Sequence, residues 1–345
     1  MRCQLKRTLK QLAGDLNVSA MTVSRALRGD VGVSETMRQT IQEYAREVNY
    51  QPNLLARGLV MQRSHVLGVL IPDLSDSFWL DAVLGMERTV RAEGYHILLA
   101  HSSDTAAVER SEIGTLISRG VDALLIACCA PGDNASVLAD VQTSGIPVVL
   151  FDRHVTAQTF SGVFFNDFAG ATQAVEHLIG LGRTRIVHLA GDERFSTSHA
   201  RLEGYRAVMK KADLPETIVE AGFGEESGFR AMRTLLDRGQ RQFDAVFAAH
   251  DPSAIGALRA LLEAGVSVPE EVALVGFGNI RCAEHVSVPL TTVAQSRHAL
   301  GEALARLALD RLHHPAAPPT EIVLLTQLIV RQSCGYPLRS ESSVQ

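Results

Sequence analysis

The stretch of residues 9–28 reads LKQLAGDLNVSAMTVSRALR and predicts two short helices around a tight turn. Its first half carries apolar residues at helical spacing, and these form one stripe: Leu9, Leu12, Ala13 and Leu16. Asn17 and Val18 interrupt this pattern, and asparagine tolerates the left-handed backbone that a sharp turn needs. Ser19 follows as an N-cap for the second helix. Such a pair is typical of a DNA-reading motif, and the alternative is an ordinary helical hairpin.

The second helix has the composition of a surface that approaches DNA. Val23, Ala26 and Leu27 are expected to face inward. The short, polar or basic side chains left on or near the outer face are Ala20, Met21, Thr22, Ser24, Arg25 and Arg28. Small side chains let a helix enter the major groove, hydroxyls reach phosphates, and an arginine can read guanine. For Met21 the alternative is a position in the core.

Further phrases in the same order carry a family resemblance. Val33-Ser34 opens a third helix over about residues 35–48, and Asn49-Tyr50-Gln51-Pro52-Asn53 breaks the chain before Ala56-Arg57-Gly58-Leu59. With Val18-Ser19 and Thr22-Val23-Ser24-Arg25, these phrases resemble the LacI/GalR (lac repressor-like) family of bacterial transcription regulators. The DNA-binding residues that the resemblance implies are Thr8, Ser19, Ala20, Met21, Thr22, Ser24, Arg25, Asn53, Ala56, Arg57 and Leu59.

The resemblance also assigns roles within this set. Ala20 and Met21 would set base preference, and Arg25 would be the general DNA-facing arginine. Ala56 and Leu59 would belong to a hinge helix that enters the minor groove, where Leu59 wedges between base pairs. So short a helix is unstable alone in water, so its folding would depend on DNA and partner contacts. The alternative is an ordinary leucine-rich linker helix.

Charge is distributed unevenly along the 345 residues. The net charge is −5, yet residues 1–65 hold ten Lys/Arg against five Asp/Glu, and the remainder holds 23 against 33. A basic head on an acidic body favours nucleic acid at one end only. The composition, 46% hydrophobic and 21% charged, predicts a packed globular core.

Several function classes find no support in the sequence. No apolar run is long enough to span a membrane, and the start MRCQLKRTLK lacks a signal-peptide core, so a cytoplasmic location is expected without a membrane partner. The five cysteines, among them Cys128 and Cys129, form no Cys-x-x-Cys pair, so no disulfide framework, metal or cofactor is expected. Neither a P-loop, a dinucleotide fingerprint nor a Gly-x-Ser-x-Gly elbow is found, and no enzyme is predicted.

From residue 65 the pattern changes to strands that alternate with helices, which predicts βαβ units in doubly wound parallel sheets. Apolar runs at 66–72, 96–100, 123–127 and 147–151 form a first set, and a second set begins near Val163. The family resemblance implies two such lobes, like periplasmic sugar-binding proteins. It also implies that the chain crosses back near Thr291, places the helix 297–313 in the first lobe, and returns to the second for 321–330.

The expected organisation is an all-α helix-turn-helix headpiece (residues 1–50), a hinge helix and linker (51–64), a two-lobed effector-binding and dimerisation domain (65–334) and a polar tail (335–345). The tail has no heptad pattern, so a tetramerising coiled coil is not expected. A homodimer is expected, because such readers match two-fold DNA sites with two-fold protein symmetry.

Resemblance places a small-molecule effector in a cleft between the lobes, lined by Phe78, Trp79, Asp152, Phe195, Thr197, Arg201, Phe223, His250 and Gly278. For each aromatic residue among them the alternative is plain core packing. Two departures from the family pattern bear on its chemistry. Gly276-Phe277-Gly278 stands where the family often has an Asp in the last position, and His250-Asp251 replaces the usual Asn-Asp. Losing an acid and gaining a possible cation shifts the expectation toward a sugar acid such as gluconate, while a neutral sugar stays open.

The sequence thus predicts a sequence-specific regulator, a repressor, that binds double-stranded operator DNA under effector control. The alternative is a carbohydrate-binding module whose helical head binds a protein partner.

Overall fold

The computed structural model describes residues 7–30, 32–50, 63–129, 132–155, 160–237 and 242–336. The chain divides into two compact units, residues 1–64 and 65–345. The first unit contains three helices among its described residues: α1 (Leu9–Asp15), α2 (Ala20–Arg28) and α3 (Glu35–Glu47). They enclose a small core of Leu12, Ala13, Val23, Ala26, Ile41 and Ala45.

Two six-stranded sheets organise the second unit. The first has the order β11-β5-β4-β3-β1-β2 and contains β1 (Val66–Ile71), β2 (His96–His101), β3 (Ala123–Ile126), β4 (Val148–Phe151), β5 (Ser161–Phe165) and β11 (Glu321–Leu324). The second has the order β12-β10-β9-β8-β6-β7 and contains β6 (Ile186–Ala190), β7 (Thr217–Glu220), β8 (Ala245–Ala248), β9 (Ala273–Gly278), β10 (Thr291–Gln295) and β12 (Thr326–Ile329). We call these sheets with their helices lobe 1 and lobe 2.

Helices cover both faces of each sheet. In lobe 1 they are α4 (Ser77–Ala92), α5 (Ala106–Ser118), α6 (Ala135–Thr143) and α11 (Arg297–His313). In lobe 2 they are α7 (Asp167–Gly180), α8 (Ser196–Lys211), α9 (Glu225–Asp237) and α10 (Asp251–Glu263). Along β1, Val69 packs in one core and Leu70 in the core on the opposite face. Burial on both faces explains why the strands are continuous apolar runs.

Lobe 1 packs its terminal helix against α4 through two glycines. A methyl group on Gly301 would collide with the carbonyl oxygen of Ala82, and one on Gly85 would lie 2.9 Å from the carbonyl oxygen of His298. The two helix backbones therefore approach closely, and this contact brings the start of α11 beside the first turns of α4.

The chain passes between the lobes three times, at Asn166, Ser296 and Leu325. The helix 297–313 lies in lobe 1, as predicted. Two expectations were wrong in detail: Val163 belongs to β5 of lobe 1, and residues 321–330 do not return to lobe 2 as one piece. β11 pairs with β5 in lobe 1. β12 pairs with β10 in lobe 2 and is antiparallel. Both strands are short edge strands, and sequence periodicity does not reveal which sheet an edge strand joins.

Candidate functional site

The turn between α1 and α2 is built by local hydrogen bonds. Thr8 and Gln11 form a reciprocal capping box at the start of α1. Asn17 adopts a left-handed backbone (φ 52°), as the sequence predicts. The Ser19 hydroxyl accepts a hydrogen bond from the Thr22 amide at 3.0 Å and caps α2. These contacts fix the angle at which α2 leaves the turn.

The outer face of α2 is accessible and carries few intramolecular contacts. Met21 is 61% exposed, so the core alternative for this residue was wrong. Arg25 is exposed and makes no ion pair within the described residues, whereas Ala20, Thr22 and Ser24 are half-buried. The predicted contacts Asn53, Ala56, Arg57 and Leu59 lie outside the described residues.

A cleft with a cavity of about 720 Å³ separates the lobes. Eight of the nine residues predicted for it lie in its wall: Phe78, Trp79, Asp152, Phe195, Thr197, Arg201, Phe223 and His250. The wall also contains residues that were not predicted, chiefly Asp76, Asp104, Arg153, Arg281 and Gln295. A cavity of this size is typical of small-molecule sites.

Gly278 is the predicted residue that the structure does not place in the wall. A methyl group on this glycine would contact the His250 ring at 3.4 Å, so His250 occupies the adjacent space. The Gly278 backbone (φ 124°) is also one that side chains rarely adopt. The two departures from the family pattern, Gly278 and His250, are therefore linked, because the His250 ring takes the space beside Gly278.

Aromatic rings line both sides of the cleft. On lobe 1, Phe78 and Trp79 meet edge to face with ring centroids 4.9 Å apart. On lobe 2, Phe195 and Phe223 stack at 5.9 Å. Phe78, Trp79 and Phe195 are only 3%, 6% and 1% exposed, so these rings pack mainly in the protein interior and offer little free surface to a ligand.

Arg201 is more strongly engaged within the protein than the sequence suggests. It is 3% exposed, and its Nε and Nη2 donate to Asp167 Oδ1 at 3.0 and 2.9 Å. Its Nη1 donates to the carbonyl oxygen of Ala249 at 2.6 Å. Burial raises the pKa of Asp167 to about 6, although the neighbouring Arg201 charge lowers it. Arg201 therefore organises lobe 2 beneath the cleft as well as lining it.

Asp152 presents the one predicted carboxylate of the cleft. It follows β4 in a left-handed backbone conformation (φ 61°) and is buried. It accepts no hydrogen bond from the described residues. Burial raises its pKa, and the nearby charges of Arg201, Arg153 and His250 oppose that rise. A buried acceptor of this kind is stabilised by a ligand that donates hydrogen bonds to it.

Sequence reasoning missed Arg153, although it directly follows Asp152. Its guanidinium lies 3.7 Å from the ring centroid of Phe195 in the other lobe and 5.6 Å from that of Trp79. Its Nη1 pairs with Asp104 at 2.6 Å, while its buried Nε has no hydrogen-bond partner in the described structure. Its position next to Asp152 at the end of an apolar strand was the available signal.

His250 meets lobe 1 across the cleft. Its Nε2 lies 3.7 Å from Asp76 Oδ2, and its Nδ1 lies 3.3 Å from the carbonyl oxygen of Phe223. The neighbouring Asp251 is fully buried and accepts instead from the Thr292 hydroxyl at 2.6 Å and the Ile280 amide at 2.9 Å. The two adjacent residues thus serve different environments and do not form an acid–base pair.

Neither a membrane-spanning helix nor a metal-binding cluster occurs within the described ranges. No helix there is long and apolar enough to cross a membrane. The same residues contain no cluster of three or more His, Cys, Asp or Glu side chains placed to hold a metal ion.

A three-helix DNA-reading head and a two-lobed α/β body with an aromatic and polar cleft define a class: DNA-binding regulators built on a ligand-binding scaffold. The family model "Bacterial regulatory proteins, lacI family" matches residues 8–53, and "Periplasmic binding protein-like domain" matches residues 175–334. The chain belongs to the lacI family of bacterial regulatory proteins, and it is a DNA-binding transcriptional regulator rather than an enzyme.

Individual comparisons extend over nearly the whole chain. It is 33% identical over 344 residues to the HTH-type transcriptional regulator CelR of Thermobifida fusca, which covers 96% of this chain and all of that protein. It is 33% identical over 316 residues to the ribose operon repressor of Escherichia coli (strain K12), covering 91% and 94% of the two chains. A solved CelR–cellobiose complex matches with a TM-score of 0.71 at 30% identity, covering 95% of this chain and 100% of that one.

Proposed function

We propose that this protein is a homodimeric repressor whose operator affinity is controlled by a small neutral sugar in the cleft. The main support for a sugar ligand is Asp152, a buried carboxylate in the cleft wall that accepts no hydrogen bond from the described residues. A sugar hydroxyl would donate to it, whereas an anion would be repelled. The sugar bound by the CelR structure supports the same ligand class.

The pairing of the cleft arginines favours a neutral sugar over a sugar acid. Arg201 is paired with Asp167 and Arg153 with Asp104. Arg194 is paired with Asp192, and Arg281 with Asp81. Each of these cations already has a carboxylate partner, so its charge is largely balanced before a ligand binds. His250 faces the carboxylate of Asp76, and this contact likewise favours a ligand without negative charge.

The head supports operator binding through α2. Met21 and Arg25 are exposed on one helix, and Ser19 and Thr22 fix its start. Because phosphate contacts would supply much of the affinity, it should fall steeply with salt. Two heads related by two-fold symmetry would read a palindromic site, with the hinge residues at its centre. The protein-binding module is disfavoured, because the lacI family model matches residues 8–53 of the head.

The experiment uses Trp79, the single tryptophan of the chain, which lies in the cleft wall. Its fluorescence is followed while the full chain is titrated separately with cellobiose, ribose, glucose and gluconate. We expect saturable quenching or a spectral shift with a neutral sugar and none with gluconate. Saturation by gluconate alone would contradict the neutral-sugar proposal.

Asp152→Asn tests whether the Asp152 carboxylate binds the sugar. Asparagine tolerates the same left-handed backbone, but it replaces a charge-assisted acceptor with a neutral one. We expect the dissociation constant of the sugar to rise by about 10- to 100-fold. The matched control is Asp213→Asn, an exposed aspartate that also has a left-handed backbone (φ 53°) and is not part of the cleft wall. Equal affinities of the two variants would remove Asp152 from the site.

A further inference from the structure

One carboxylate of lobe 1, Asp81, is shared by two arginines at the border between the lobes. It lies on α4, just after the cleft residues Phe78 and Trp79, and its side chain is 6% exposed. Arg281, from a 3-10 turn (Arg281–Glu284) of lobe 2, forms an ion pair with its Oδ1. Arg297, the first residue of α11, places its Nε 3.1 Å from Asp81 Oδ2.

Both arginines connect Asp81 to the same turn of lobe 2. Besides its contact with Asp81, the Nη1 of Arg297 donates to the carbonyl oxygens of Gly278, at 3.3 Å, and Asn279. Arg281 belongs to the turn itself and lies in the cavity wall beside Cys282. The turn of residues 278–282 is therefore held against α4 from two directions.

Within lobe 2 this turn is firmly attached. The Ile280 amide donates to the buried Asp251 carboxylate at 2.9 Å. Arg331 Nη2 donates to Asn279 Oδ1 at 2.8 Å, and the Asn279 amide donates to the Thr292 hydroxyl at 3.2 Å. Because these partners all belong to lobe 2, the turn moves with lobe 2, and a rotation of the lobes would break the contacts of Asp81 and open the turn to water on the side that faces α4.

We propose that Asp81 is a positioning residue that acts through Arg281 as a latch between the lobes. It holds the 278–282 turn against lobe 1 and so sets how readily the cleft opens. The consequence for effector affinity rests on the proposed function, because affinity scales with the population of the binding-competent state. The latch itself does not depend on the identity of the ligand.

The two ion pairs of Asp81, with Arg281 and with Arg297, differ in strength. The Arg281 side chain is 65% exposed, so water and salt screen its attraction to Asp81. The Arg297 side chain is 17% exposed and reaches both Asp81 and the carbonyl oxygens of Gly278 and Asn279. The contact of Asp81 with Arg281 is therefore the one that opens more readily, and removing it leaves the packing of α4 on α11 intact.

The test measures amide hydrogen exchange by mass spectrometry on the full chain without ligand, in peptides that cover residues 278–285. Arg281→Gln should accelerate exchange there by about threefold, the effect of an exposed ion pair. The matched control is Arg306→Gln, because Arg306 is 70% exposed and pairs with Glu302 inside α11 at 2.7 Å. The control should leave these peptides unchanged.

A double-mutant cycle separates the latch from a purely structural role. Asp81→Asn should accelerate exchange of the same peptides by about tenfold, because it removes both partners. Asp81→Asn combined with Arg281→Gln should add nothing to that, since the two residues act through one contact. Unchanged exchange in Arg281→Gln, or multiplicative effects in the double variant, would overturn the proposal. A failed sugar titration would leave this result intact, because no sugar is present.

Discussion

Replacing Arg201 by methionine should destabilise lobe 2, whatever its effect on effector binding. Methionine fills similar volume but leaves the Asp167 carboxylate, itself buried, without its cation. Breaking a buried pair from one side costs about 3–5 kcal/mol. Domains are stable by only about 5–15 kcal/mol, so this is a large fraction of the total.

The stability loss caused by Arg201→Met should become smaller as the pH falls. The pKa of Asp167, about 6, is lowered by Arg201, so it must rise further in the variant. At pH 5 the carboxyl is then protonated and neutral, which removes most of the penalty of the missing cation. The difference in stability between the variant and the parent should therefore shrink from pH 7 to pH 5.

Urea denaturation followed by circular dichroism at the two pH values measures this difference. Arg201→Met combined with Asp167→Asn should recover about 1–3 kcal/mol relative to Arg201→Met alone, because no buried charge then lacks a partner. A cost below about 1 kcal/mol at pH 7, or no recovery in the double variant, would refute the reasoning. Loss of a ligand response in an Arg201 variant is interpretable only after this stability measurement.

Two more predictions follow from buried or capping groups. Ser19→Ala removes the N-cap of α2 and should destabilise the head by about 1 kcal/mol. The measurement is the melting temperature of residues 1–64, followed through the hydrogen exchange of their amides, and it should be lower in the variant. Ser111→Ala on α5 is the control and should leave this melting temperature unchanged. Burial lowers the pKa of His188 from 6.5 to about 4. The unfolded chain therefore binds a proton first, and stability falls as the pH drops from 6.5 to 4. Relative to His188→Leu, the parent should lose about 3 kcal/mol over that range in urea titrations; a constant difference would contradict a buried neutral imidazole.

The sequence predicted the local parts of this molecule well because their causes are local. The stripe of residues 9–16, the left-handed Asn17 and the cap Ser19 all depend on neighbours within a few positions. The aromatic pair Phe78-Trp79 and Asp152 were found through family phrases, which fix their place at strand and helix ends. For Gly278 the same reasoning failed, because the space beside it is taken by His250, which is 28 positions away in the chain.

Amino-acid order alone thus determined a helical DNA-reading head, alternating strands and helices, and, through the family resemblance, eight residues of the cleft wall, since periodicity, caps and phrases act over short distances. Tertiary structure alone decided which sheet receives β11 and β12, how Arg153 stacks on Phe195, and how Asp81 meets Arg281 across 200 positions. The physical reason is that burial and ion pairing depend on what lies nearby in space, and the three passages between the lobes bring together segments that are remote in sequence.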